Sequence, residues 1–98
     1  MNFNERVWKL CSRVPKGKVT TYKELAKALN SRAYRAVGNA LHSNPYAPIV
    51  PCHRVVGSDG SLTGFARGLK KKAEMLRRER IKVKNSRVID FEKVLYRF

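Results

Sequence analysis

Residues 48–56 read PIVPCHRVV, and in this stretch a thiol and an imidazole are neighbours, Cys52 and His53. Such a thiol has three possible chemistries: an inert buried group, a metal ligand or a nucleophile. A zinc site needs clustered Cys and His ligands. The chain has only Cys11, Cys52, His42 and His53, with no C-x-x-C or H-x-x-x-H pair, so no metal is expected. An inert core thiol suits Cys11, which falls on an apolar helical face. It suits Cys52 less well, because His53 and Arg54 place cationic or hydrogen-bonding groups nearby, and such neighbours favour a thiolate. Adjacent side chains of an extended strand point to opposite faces, so contact between Cys52 and His53 would need a kink at Pro51 or a bridging water. The residues by themselves leave buried thiol and nucleophile both open.

The elements that must position this stretch are legible as patterns. A first helix is predicted over Glu5 to Val14, capped by Asn4, with Phe3 stapled onto Trp8 and with Val7, Trp8, Cys11 and Val14 on one face. Thr21 with Glu24 three positions on forms a capping box, opening a short helix that buries Leu25, Ala28 and Leu29. After a break at Asn30, Ser31 is the N-cap candidate of another helix. Its apolar face is Ala36, Val37, Ala40 and Leu41, while Arg35, Gly38, Asn39 and His42 point away. Two short helices joined in this way read as helix-turn-helix. APIVPCHRVV reads as an irregular, largely buried extended segment, GSDGS as a turn, and LTGFARG as a glycine-punctuated loop or short strand. From Leu69 to about Arg80 a helix is predicted with Leu69, Ala73 and Leu76 as its buried stripe. The lysines and arginines lie mostly outside that stripe and Glu79 sits at its margin. The tail is expected to add a short strand and a last turn capped by Asp90.

Composition narrows the partner. The chain has 98 residues, enough for one domain, with 43% hydrophobic residues and no internal repeat. Twenty-two Lys and Arg against 7 Asp and Glu give a formal charge of +15. That excess asks for a polyanion, and because ion-pair networks need both signs, nucleic acid is favoured over a merely solvated surface. No signal-peptide pattern opens the sequence and no apolar run matches a membrane span, so a soluble cytoplasmic protein with no membrane partner is expected.

PCHRVV, preceded by RAVGNALHSNP and followed by GFARGL, resembles the O6-alkylguanine-DNA alkyltransferases, from about Val7 to Glu79. The resemblance implies a mostly α domain with short β segments, winged helix-turn-helix-like. The implied reaction flips an O6-alkylguanine out of double-stranded DNA and moves its alkyl group irreversibly to a cysteine, without cofactor. O4-alkylthymine is a second candidate substrate, and a monomer is expected.

Carried over residue by residue, Cys52 matches the alkyl acceptor and His53 the base acting through a water. Glu79 matches the carboxylate orienting that base, and Asn44 the residue bracing the segment before the active site. Tyr22 matches the tyrosine that meets the extruded base, and Arg35 the finger that fills the gap it leaves. The helix bearing Ala33, Ala36, Gly38 and Asn39 would lie in the minor groove, where little sequence is read. Leu41, Val55 and Phe65 would wall the alkyl pocket, and Ser58 would contact guanine O6.

Departures from the family pattern are Tyr34, bulkier than usual, and Phe65, where many members have tyrosine. The N-terminal domain common in the family is expected to be absent, and residues 81–98 to form an extra tail on a single 1–98 domain. Two other readings stay open: a lesion binder that lacks transferase chemistry, in which the acceptor cysteine is typically replaced, and a winged-helix regulator.

Overall fold

The first helix starts where a reciprocal pair of caps forms. In the computed structural model, which describes residues 1–65 and 67–98, the Asn2 side chain accepts from the Glu5 amide at 2.8 Å and the Glu5 carboxylate accepts from the Asn2 amide at 3.1 Å. Helix α1 therefore spans Phe3–Cys11, capped by Asn2 and not Asn4. It ends before Val14, which is buried in the turn that follows. Strand β1 (Thr20–Thr21) leads into α2 (Tyr22–Ala28), where the Thr21 hydroxyl caps the Glu24 amide at 3.0 Å. Leu25 and Ala26 are its buried residues, and Ala28 faces solvent, against the expected pattern.

Asn30, with φ 56°, turns the chain between α2 and α3 (Tyr34–His42). Ser31 does not cap α3: its hydroxyl accepts from the Ala33 amide at 3.0 Å in a local turn, and Ala33 holds the cap position without a side-chain bond. Val37, Ala40 and Leu41 are buried while Ala36 is half-exposed at the margin. The Trp8 indole donates to the Ala40 carbonyl at 2.7 Å, which ties α1 to the end of α3.

The segment after Pro45 differs from an extended, buried run. Residues Pro45 to Ile49 are exposed, and Cys52–Arg54 form a 3-10 turn closed by the Arg54 amide on the Pro51 carbonyl at 2.9 Å. Pro51 supplies only an acceptor there, so its missing N–H costs nothing. Strand β2 (Val55–Val56) then pairs in parallel with β1, Thr20 opposite Val55 and Thr21 opposite Val56.

A loop through residues 62–68, whose Ala66 lies outside the described residues, leads to α4 (Leu69–Arg78). Leu69 is exposed, and the buried positions are Lys72, Ala73 and Leu76. Leu69, expected in the buried stripe, is thus exposed, while Lys72, expected outside it, is buried. Strands β3 (Val83–Lys84) and β4 (Arg87–Val88) form an antiparallel hairpin, followed by α5 (Phe91–Val94). Asp90 holds the N-cap position of α5 but in a left-handed conformation, φ 55°, with no side-chain cap.

Two cores result. One gathers Val7, Cys11, Leu25, Val37, Leu41 and Val55 among α1, α2 and α3. The other joins Val19 and Val56 to Leu62, Leu76, Ile81, Val83 and Val88. Residues 81–98 thus supply core side chains and are not an appended tail. The β1–β2 pair contributes to both cores, Val55 facing one and Val56 the other, as strand alternation requires. Among the described residues no helix is long and apolar enough to cross a membrane.

Candidate active site

Cys52 opens onto a cavity of about 270 Å³. Tyr22 from the start of α2, Gly38 and Leu41 from α3, Asn44, Phe65 and Arg67 share its lining. That volume lies just below the usual range for small-molecule pockets. Asn44 fixes the approach to it: the side-chain amide donates to the Val50 carbonyl at 2.9 Å, and its oxygen accepts from the Tyr46 amide at 2.9 Å. The loop carrying the chain from α3 to Cys52 is thus held at both ends by one side chain.

His53 is turned away from the cavity and buried. Its Nε2 lies 3.0 Å from Glu79 Oε2, at the C-terminal end of α4. A carboxylate at that nitrogen fixes the neutral tautomer with its proton on Nε2 and leaves Nδ1 as the acceptor. Burial lowers the His53 pKa below the usual imidazole value, opposed by the Glu79 hydrogen bond and charge and reinforced by Arg54 and Lys72. The ring is therefore a neutral base near pH 7. The 3-10 turn answers the geometric difficulty of an extended chain, because consecutive side chains of a tight turn fan out instead of alternating.

Glu79 is also held by Arg54, whose Nε donates to Oε1 at 2.8 Å and whose Nη2 donates to Oε2 at 2.6 Å. The remaining Nη1 donates to the Val14 carbonyl at 2.8 Å. Burial alone would push the Glu79 carboxyl up, but the Arg54 and His53 interactions outweigh it and hold the group below the ordinary range. In the sequence Arg54 stands only as a charge near the thiol. Its bidentate grip depends on residues 25 positions away, which no local pattern reveals.

Lys72 is a second residue that the sequence pattern hides. It is fully buried, and its ammonium donates to the Thr63 carbonyl at 2.7 Å and stands 5.9 Å from the Phe65 ring centre. Burial lowers its pKa to about 8. The Tyr22 hydroxyl reaches the same carbonyl at 3.4 Å, so the loop carrying Phe65 is tethered from α2 and α4 together. Lysine stems pass for polar surface in a helical pattern, although their methylenes pack like a core side chain.

The remaining residues of interest divide by place. Arg35 and Asn39 are exposed on α3, with Ala36 and Gly38 half-exposed between them. A Cβ on Gly38 would meet nothing within 4 Å, so that face of α3 is open for close approach. Val55 does not line the cavity: it is fully buried in the first core, because β2 turns it inward. Ser58 is not among the residues lining the Cys52 cavity; it lines a neighbouring depression with Tyr22, Lys23 and Tyr34. Cys11 is buried, and burial raises its thiol pKa to about 12.

Comparison with known proteins places this geometry. The family described as "6-O-methylguanine DNA methyltransferase, DNA binding domain" matches residues 2–81. A methylated-DNA–protein-cysteine methyltransferase of Methanosarcina barkeri is 52% identical over 79 residues, covering 80% of this chain and 50% of that protein. One of Haemophilus influenzae is 44% identical, over 81% of this chain and 45% of its own length. The chain thus spans about half the length of the curated relatives it matches. Among solved structures, Mycobacterium tuberculosis OGT in complex with DNA superposes with TM-score 0.77 at 44% identity, covering 81% of this chain and 50% of that one. Schizosaccharomyces pombe Atl1, in complex with damaged DNA containing O6-carboxymethylguanine, superposes with TM-score 0.85 at 25% identity, over 98% of this chain and 95% of that one. With a family match across residues 2–81 and a relative 52% identical over 80% of it, the chain belongs to the 6-O-methylguanine DNA methyltransferase DNA-binding-domain family.

Proposed function

We propose that this protein repairs duplex DNA by accepting the alkyl group of O6-alkylguanine on Cys52, once per molecule. The observation that carries this reading is the arrangement of Cys52 on a cavity, with His53 behind it as a neutral imidazole oriented by Glu79. The Cys52 proton passes through a bridging water to His53 Nδ1. The thiolate sulfur attacks the alkyl carbon, the S–C bond forming as the C–O6 bond breaks, and the electron pair goes to the guanine. The imidazolium, stabilised by Glu79, returns the proton to the purine. Overall, thiol and O6-alkylguanine give S-alkylcysteine and guanine, and no group at the site can cleave the thioether.

Tyr22 meets the extruded base, Arg35 enters the duplex behind it, and the small residues of α3 let the helix sit close in the minor groove. Extrusion costs a few kcal/mol, least for a weakened pair, which helps select the lesion. The test is mass spectrometry of the protein after incubation with an O6-methylguanine oligonucleotide. One methyl mass on the Cys52 peptide, and no further turnover, is expected; an unmodified peptide with the lesion intact would overturn the reading.

One observation favours a second reading: the Atl1 superposition spans almost the whole chain. A lesion binder would hold the same oligonucleotide tightly and leave Cys52 unalkylated. The acceptor cysteine, with its oriented base, favours transfer.

A further inference from the structure

Only part of this protein's charge lies beside α3, where Lys23 and Lys27 of α2 share a depression with Arg32 and Tyr34. Residues 31–66, which hold α3, much of the cavity wall and Cys52, contain three basic residues and one acidic residue. Residues 68–87, which hold α4 and the hairpin, contain nine basic residues and two acidic ones, while Arg67 just before them lines the Cys52 cavity. Of these nine, only Lys72 is buried. Lys70, Arg78, Arg80, Lys82 and Lys84 are exposed and form no ion pair among the described residues. Lys84 stands directly across the hairpin from Arg87, and both are exposed while Val83 and Val88 turn into the core. Like charges so gathered oppose folding unless a polyanion offsets them.

This surface belongs to a different half of the molecule from α3. Helix α3 packs into the first core and α4 into the second. Arg78 lines a depression with Lys16, His53 and Glu79 that shares no residue with the Cys52 cavity. We propose that α4 and the β3–β4 hairpin form a second duplex-binding surface, which takes phosphates of a DNA segment other than the one seated on α3. Such a surface would let one molecule pass between neighbouring segments without dissociating. The proposal rests on α3 being the groove helix.

The test uses two lesion-free duplexes, one with a donor and one with an acceptor fluorophore, mixed with the full chain and with Lys70→Ala/Lys82→Ala/Lys84→Ala. Wild type is expected to bring the two duplexes together, with one protein and two duplexes by sedimentation. The triple variant should lose that transfer signal, and the log–log salt slope of the second binding step should fall by roughly 2.7, at about 0.9 per phosphate. Its binding of a single duplex and its methyl transfer should stay at the wild-type level. No bridging by wild type, bridging unchanged in the variant, or a complex of two proteins with two duplexes would each overturn the proposal. A variant that loses single-duplex affinity without any bridging signal in wild type would mean that one duplex contacts both faces, which also overturns it. Loss of methyl transfer in wild type would count against the function of Cys52 and not against this surface.

Discussion

Arg54 grips the Glu79 carboxylate at both oxygens, at 2.8 Å and 2.6 Å, so the group that orients His53 is itself oriented. The guanidinium also moderates the base. A buried imidazole facing an unshared carboxylate tends to stay protonated, and a proton-laden ring cannot take one from a thiol. Burial is the main cause that keeps the ring neutral, and Arg54, by holding Glu79 and adding a positive charge, acts in the same direction.

Arg54→Met is therefore expected to raise the His53 pKa, read from the ring resonances in an NMR titration. Breaking a largely buried pair should also cost about 3 kcal/mol, read by urea denaturation. A destabilised variant with an unmoved imidazole titration would show that Arg54 only braces the turn.

If His53 is the base, its protonation should set the pH dependence. Its pKa is lowered by burial, so the rate of a single methyl transfer should be level above about pH 6.5, the unperturbed imidazole value, and fall only in more acid solution. The sign for folding is the same: the unfolded chain takes up this proton first, so stability declines as pH falls through that value. His53→Gln should slow transfer by roughly 10²–10⁴-fold and remove the acid limb. Rapid-quench kinetics against pH would measure both, and an acid limb that survives in the variant would assign it to another group.

Lys72 costs stability at neutral pH. Moving its pKa from 10.5 to about 8 corresponds to about 3 kcal/mol of penalty on the charged form, present in full below pH 8 and relieved between 8 and 10.5. Lys72→Met should stabilise the protein by about 2 kcal/mol at pH 7, once loss of the bond to Thr63 is counted, with a smaller gain at pH 9.5. Methyl transfer should be slower in the same variant, because the loop bearing Phe65 has lost a tether. Denaturation curves at the two pH values and a single-turnover assay separate the two effects. A destabilised variant would mean that packing of the lysine stem outweighs the buried charge.

Cys11 serves as an internal control for thiol chemistry. Its pKa of about 12 and its complete burial predict no reaction with iodoacetamide at pH 8 in the folded protein, and alkylation in urea. Peptide mapping should find native labelling at Cys52 alone. Native labelling at Cys11 would show that α1 opens readily.

How far these features could be read in the sequence depended on the range of the interaction that fixes them. The Thr21 cap was legible because hydroxyl and amide are three residues apart. Asn2 and Glu5 have the same spacing, yet Asn4 drew the prediction because Phe3 looked like a staple residue. Glu79 could be placed at the margin of α4 from helical periodicity, but its two partners lie 25 and 26 positions away. The 3-10 turn at Cys52–Arg54 was hidden because prolines and β-branched residues suit extended chain equally well. Val55 looked available to the pocket until β2 fixed which way it faces. Lys72 was misplaced for a plainer reason: apolar periodicity is blind to a cation whose stem does the packing.

Cys52 packs against the first core, and Glu79 caps a helix of the second. The sulfur and the carboxylate that readies its base thus arrive from opposite sides of a seam. A chain that has formed only one half holds His53 without Glu79, and the pair comes together only when the last third of the sequence has docked. On the proposed function, in which Cys52 is used only once, this arrangement would keep it from being spent before the molecule around it is whole.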